Sequence, residues 1–157
     1  MSVAYQLIPD PDWATTTTVS LPEGLDVPAD RFARAVFQAR SVPAWGKALF
    51  VAREVAAVAL RLPPARRDML AVREVRDGEA VIDTDDVHLR FVAGIRTEPR
   101  LAHVTTAVRF KGLRGRLYFV PVRLVHDPIT RAMMRRAVRS LARDEAHPSA
   151  ADGPLAG

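Results

Sequence analysis

VHLRFVAGIRTEPRLAHVTTAVRFKGLRGRLYFVPVRLVH, residues Val87 to His126, carries the densest structural signal in the chain. Successive side chains of a strand point to opposite faces of a sheet. In the run from Val87 to Arg96, the residues Val87, Leu89, Phe91, Ala93 and Ile95 share one face, and His88, Arg90 and Arg96 take the other. From Ala102 to Lys111, Val104, Thr106, Val108 and Phe110 oppose His103, Thr105 and Arg109. From Arg116 to His126, Tyr118 falls on a face with Val120, Val122 and Leu124. The turns Thr97-Glu98-Pro99-Arg100 and Gly112-Leu113-Arg114-Gly115 separate the runs. This pattern predicts a half-buried antiparallel meander of three strands.

Working outward, Met69 to Arg76 and Glu79 to Asp83 flank Asp77-Gly78, a strong hairpin signal, and add two strands. The β-branched run within Trp13 to Leu21 predicts a first strand. Residues 1–12 read as an extended or turning lead-in, ending in Pro9-Asp10-Pro11-Asp12. A helix is predicted from about Val27 to Arg40, with Asp26 as cap, Pro28 in its first turn, and a stripe of Phe32, Val36 and Ala39 with Phe37 alongside. A second runs from about Pro43 to Leu60, with Trp45, Leu49, Ala52, Val55, Ala56 and Ala59 along one side, and Pro63-Pro64 ends it. Asp127-Pro128 reads as the opening of the last helix, whose apolar stripe is Ile129, Ala132, Met133, Ala137, Val138 and Leu141. Arg131, Arg135, Arg139 and Arg143 form its cationic edge. A tail follows from Ala146. Strands and helices are segregated along the chain, so the expected class is α+β, about six antiparallel strands on a long C-terminal helix, in one domain over residues 13–145.

The 157 residues suffice for one substantial core, and 48% hydrophobic with 26% charged residues is ordinary for a globular protein. The net charge of +5 permits acidic partners without demanding them. The chain has no cysteine, which excludes disulfides, thiolate nucleophiles and cysteine-bound metal clusters and fits a reducing, cytoplasmic setting. The first cationic residue is Arg31, which argues against a Sec-type signal. Ala44 to Leu60 is too short and, with Lys47, Arg53 and Glu54, too charged for a good membrane span.

Pro43-Ala44-Trp45 reads as a P-x-W helix start, and Asp86-Val87-His88-Leu89-Arg90-Phe91 resembles a D-x-H-L-D-F-R strand. Gly115-Arg116-Leu117-Tyr118-Phe119, followed by Val122-Arg123-Leu124-Val125-His126, resembles G-R-x-Y and then V-x-P-F-H. In this order the stretches resemble the bacterial domain-of-unknown-function family 2867, over roughly Trp13 to Leu141. Arg90 stands where the pattern has an acid, Val92 where it has a cation, and Leu124-Val125 where it has Pro-Phe, so a role needing that acid does not carry over. The order of elements is similar to the helix-grip fold of the START-like, or SRPBCC, superfamily, which implies a hydrophobic cavity between sheet and C-terminal helix. The resemblance implies no established reaction. Some relatives are fused to nucleotide-dependent reductase-like domains, but no G-x-G-x-x-G occurs here, so no dinucleotide cofactor is expected.

For a ligand in such a cavity, the candidate contacts are Tyr118 and His126, as polar tips that orient it, with Phe91, Trp45, Thr106 and Met133 as wall. His88 is a further histidine at a matched position, although a regular strand turns it away from Leu89 and Phe91. Asp83-Thr84-Asp85-Asp86 fails as a calcium loop because His88 and Gly94 occupy the glycine and glutamate positions. His88, His103 and His126 have no spacing that fixes a zinc site, and no metal is expected. There is no G-x-S-x-G. Lys111-Gly112-Leu113 and Arg114-Gly115-Arg116 lack the aromatics of an RNA-recognition strand, which argues against nucleic acid. The leading expectation is a domain that binds a hydrophobic small molecule, lipid-like or aromatic. The alternatives are a cyclase or aromatase-type enzyme on the same fold, and an interaction module using the basic surface.

Overall fold

The computed structural model describes residues 1–38, 41–43 and 70–146. The predicted second helix and Trp45 lie outside them, as does Ala39. Five antiparallel strands form one sheet: β1 (Trp13–Ser20), β2 (Glu74–Arg76), β3 (Glu79–Asp85), β4 (Leu89–Glu98) and β5 (Leu101–Phe110), in the order β1-β5-β4-β3-β2. The central pairing aligns Phe91 with Val108, Ala93 with Thr106 and Ile95 with Val104. The first strand closes on β5, with Trp13 opposite Val108, Thr15 opposite Thr106 and Val19 opposite Ala102. The Asp77-Gly78 hairpin forms as predicted. Both residues adopt positive φ, 51° and 74°, as the tight two-residue turn demands.

Because alternate residues share a face, Val19, Ala80, Ile82, Ala93, Ile95, Ala102 and Val104 form one apolar surface. Two helices cover it: α2 (Ala29–Phe37) and α3 (Leu113–Ala146). Phe32, Ala33 and Val36 are fully buried, and Met133, Met134, Ala137, Val138 and Leu141 meet them across the same core. Pro28, not Asp26, holds the cap position of α2, and there is no side-chain cap bond.

The opposite face is also partly covered. Residues expected as an extended lead-in form α1 (Val3–Leu7), which packs Val3, Ala4 and Ile8 on Val81, Val92 and Ala107. A buried carboxylate anchors it: Glu79 accepts hydrogen bonds from the Ser2 hydroxyl at 2.7 Å and from the Val3 amide at 3.0 Å. A Cβ on Gly94 would stand 2.3 Å from that carboxylate, so glycine makes room for the anchor.

The main correction concerns Arg116 to His126. This stretch is helical, part of a 34-residue α3 that runs straight through Asp127-Pro128. The sheet therefore has five strands among the described residues, not six. The stretch alternates well enough to imitate a strand, but Gly115, Phe119, Val122, His126 and Thr130 also recur at helical spacing, and this is the set the fold turns inward. Val120 and Leu124, expected to share a strand face with Tyr118, are 47% and 71% exposed. Gly115 permits the packing: a Cβ there would lie 2.2 Å from the His88 carbonyl oxygen. Pro121 and Pro128 lie on the exposed outer side, where a helix wrapping a core tolerates the missing N–H.

Candidate functional site

Where the start of β1 and the end of β5 meet the first half of α3, three aromatic rings converge. Trp13 meets Phe119 edge-on at 5.0 Å between ring centres, and Phe119 lies 5.2 Å from Phe110. Arrangements of this kind are favourable beyond simple burial because ring edges face ring π-clouds. On the far side of Trp13, His126 stands edge-to-face at 5.0 Å.

Beside these rings opens a cleft of about 290 Å³ lined by Asp12, Trp13, Phe110, Arg116, Phe119, Val120 and Arg123. Its wall is apolar and its rim is cationic. Asp12 is already committed. One carboxylate oxygen accepts from the Phe110 amide at 2.8 Å and the other meets Arg116 at 3.4 Å, which ties the chain before β1 to the end of β5 and to α3. Arg123 has no ion-pair partner among the described residues.

His126 is set into the interface between α3 and β1. Burial holds its pKa below the ordinary 6.5, and the opposing pull of Asp127 is smaller, so the ring is neutral near pH 7. Its Nδ1 is buried with no hydrogen-bond partner among the described residues, as is Nε2 of His88. Such orphans are rare in folded proteins. Next to it, Asp127 accepts from the buried Thr17 hydroxyl at 2.6 Å and pairs with Arg131 at 3.2 Å. The Thr17 bond, then Arg131, lowers the carboxyl pKa below its usual value. Asp127 is thus a pin between α3 and β1, where the sequence pattern made it a cap.

Of the six residues expected to line a cavity, Trp45 lies outside the described residues and the other five are spread out. Thr106 and Phe91 lie on the helix-facing side of the sheet, with Thr106 buried and Phe91 half-buried against the main core. Met133 is in the same core, buried on α3. Tyr118 is half-buried on α3 and is not part of the cleft wall, and His126 sits behind Trp13. Sequence reasoning passed over Trp13, Phe110, Arg116, Phe119 and Arg123. Period-3.6 spacing from Gly115 would have flagged Phe119, whereas the approach of Trp13 depends on how β1 pairs.

The histidines do not converge. His103 faces Thr18 at 2.9 Å on the sheet side away from α3, while His126 belongs to α3. Among the described residues no group of three or more His, Cys, Asp or Glu could hold a metal ion. Of the arginine edge, Arg131 turns in to Asp127 and the Thr18 carbonyl, while Arg135, Arg139 and Arg143 stay exposed.

Residues 7–133 match the family described as "Protein of unknown function (DUF2867)", well over half of the chain. The chain belongs to this family. The matched span includes all five strands and every residue lining the cleft, so the site sits within the DUF2867 region. No curated protein and no solved structure matches the chain. No helix among the described residues is long and apolar enough to cross a membrane.

Proposed function

We propose that this DUF2867 chain binds a small hydrophobic molecule, lipid-like or aromatic, carrying one anionic group, in the cleft between the sheet end and the first half of α3. The observation that carries this reading is the pairing of an aromatic wall (Trp13, Phe110, Phe119) with a guanidinium rim (Arg116, Arg123). Binding sites are mostly apolar concavities with a few placed polar groups, and about 290 Å³ suits a small ligand. Apolar burial supplies the affinity at roughly 25 cal/mol per Å². Arg123 supplies charge-assisted hydrogen bonds that fix which end points outward. On this reading the long helix and antiparallel sheet are a helix-grip arrangement of the START-like kind, with the ligand near one end of the grip.

Binding is favoured over cyclase-type catalysis because the polar groups on the wall are Asp12, already bonded, and two guanidiniums, which offer hydrogen-bond donors and no acceptor. Titration with 1-anilinonaphthalene-8-sulfonate, an aromatic anion, tests the reading, together with native mass spectrometry after exposure to a hydrophobic extract. Saturable binding that weakens about tenfold or more in Arg123→Glu and Phe119→Ala is expected. Binding unchanged in both variants, or no retained molecule from the extract and no saturation, rejects it.

A further inference from the structure

We propose that the outer face of α3 seats the protein on an anionic phospholipid surface. Leu113, Leu117, Val120 and Leu124 are 77%, 65%, 47% and 71% exposed. Their spacing of four, three and four places them in one stripe along the helix, pointing away from the sheet that Gly115, Phe119 and His126 face. Scattered exposed leucines need no explanation, but an aligned row of four does. This inference shares Val120, Arg116 and Arg123 with the lining of the proposed ligand cleft, but Leu113, Leu117 and Leu124 lie outside that lining, and it does not rest on the ligand reading.

Charge decides the occupant. Between Glu98 and Asp127 the chain has no acidic residue, while it carries Arg100, Arg109, Lys111, Arg114, Arg116 and Arg123. Of those flanking the stripe, Arg114 and Arg123 have no ion-pair partner among the described residues, and Arg116 shares Asp12. Asp85, on the neighbouring strand end, is paired with Lys111. A second copy fits the leucines but not the charges. An antiparallel two-fold pairing that sets Leu113 against Leu124 and Leu117 against the partner's Val120 also sets Arg114 against Arg123, twice. A separate protein partner meets a different obstacle: the stripe is about 17 Å long on a helix about 10 Å wide, under about 200 Å², far short of the roughly 800 Å² per partner of a stable interface.

A lipid surface has neither requirement. Leucines enter the headgroup boundary and the flanking guanidiniums take lipid phosphates, the usual division of labour in an interfacial helix. The seating is shallow. Pro121 and Pro128 lack the N–H groups that would serve the carbonyls of Leu117 and Leu124, and these oxygens keep their water only at the interface.

Co-sedimentation of the full chain with vesicles of phosphatidylcholine alone, and with about one-third phosphatidylserine, tests this. Binding to the anionic vesicles, release by salt, about a tenfold or greater loss in Leu117→Glu/Leu124→Glu, and a comparable loss in Arg114→Gln/Arg123→Gln are expected. All four positions are exposed, so circular dichroism should show folded variants. No binding to anionic vesicles at low salt, equal binding to neutral ones, or binding undiminished in the leucine variant overturns the proposal. So does a concentration-dependent dimer in light scattering that the leucine variant dissolves, which would give the stripe to a second copy.

Discussion

The indole of Trp13 meets the imidazole of His126 edge-to-face, 5.0 Å between ring centres and 74° between planes. One comes from the first residue of β1 and the other from the middle of α3, so this contact joins the ends of the fold. It also removes the histidine from water, which accounts for the lowered pKa.

Acid should therefore weaken the fold in the range where histidine titrates. The unfolded chain takes up a proton at His126 near pH 6.5 and the folded chain resists it. The stability contributed by the neutral ring is complete above 6.5 and is lost as pH falls from there through the lower folded pKa. Urea midpoints at pH 7.5 and 5.5 measure this. His126→Phe, which keeps an aromatic ring without a proton site, should reduce the drop. An unaltered drop would place the effect elsewhere.

The Thr17–Asp127 pin should be felt mainly from the threonine's side, because that hydroxyl is fully buried. Asp127→Ala leaves it without an acceptor and should cost about 1–3 kcal/mol. Thr17→Val removes the donor but leaves Asp127 its Arg131 partner, so about 1 kcal/mol is expected. The pin's pH window is separate from that of His126: the depressed carboxyl pKa stabilises the fold above about 3.8, and that part is lost only as pH falls below it. Denaturation of both variants at pH 7 and pH 3 tests order and window together.

Gly115→Ala sets two effects against each other. Alanine favours a helix interior by about 1 kcal/mol over glycine. The new Cβ would meet the His88 carbonyl oxygen at 2.2 Å, a backbone atom that also accepts from the Lys111 amide and cannot yield easily. Overpacking of that kind costs about 1–3 kcal/mol, so net destabilisation is expected. A higher melting temperature would show that the start of α3 shifts freely.

Glu79 holds α1 to the sheet, and loss of its side chain should release that helix locally. In Glu79→Ala the Ser2 hydroxyl and Val3 amide lose their shared acceptor, and Arg96 loses its partner at 3.4 Å. Amide exchange over residues 3–8 should accelerate while β4 and β5 stay protected. Gly94→Ala, which crowds the same carboxylate, should act alike. Protection of α1 in both variants would show that Val3, Ala4 and Ile8 suffice to hold it.

The sequence by itself located the five strands of the sheet, though it added a sixth that the fold does not make. The alternation in β4 and β5, the Asp77-Gly78 turn and the β-branched run in β1 place strands wherever they occur, because period-two burial and a two-residue turn are local properties. It also determined the α+β class and the apolar stripe of the C-terminal half of α3. Only the tertiary structure decided Arg116 to His126. That run satisfies both periods, and the choice falls to helix where Gly115 lets the chain close on His88 and Phe119 finds Trp13 and Phe110. The cleft, the half-buried His126 and the outward leucine row all follow from that choice. Each depends on which side of one segment faces a sheet whose first strand lies about a hundred residues earlier, and no local pattern records that.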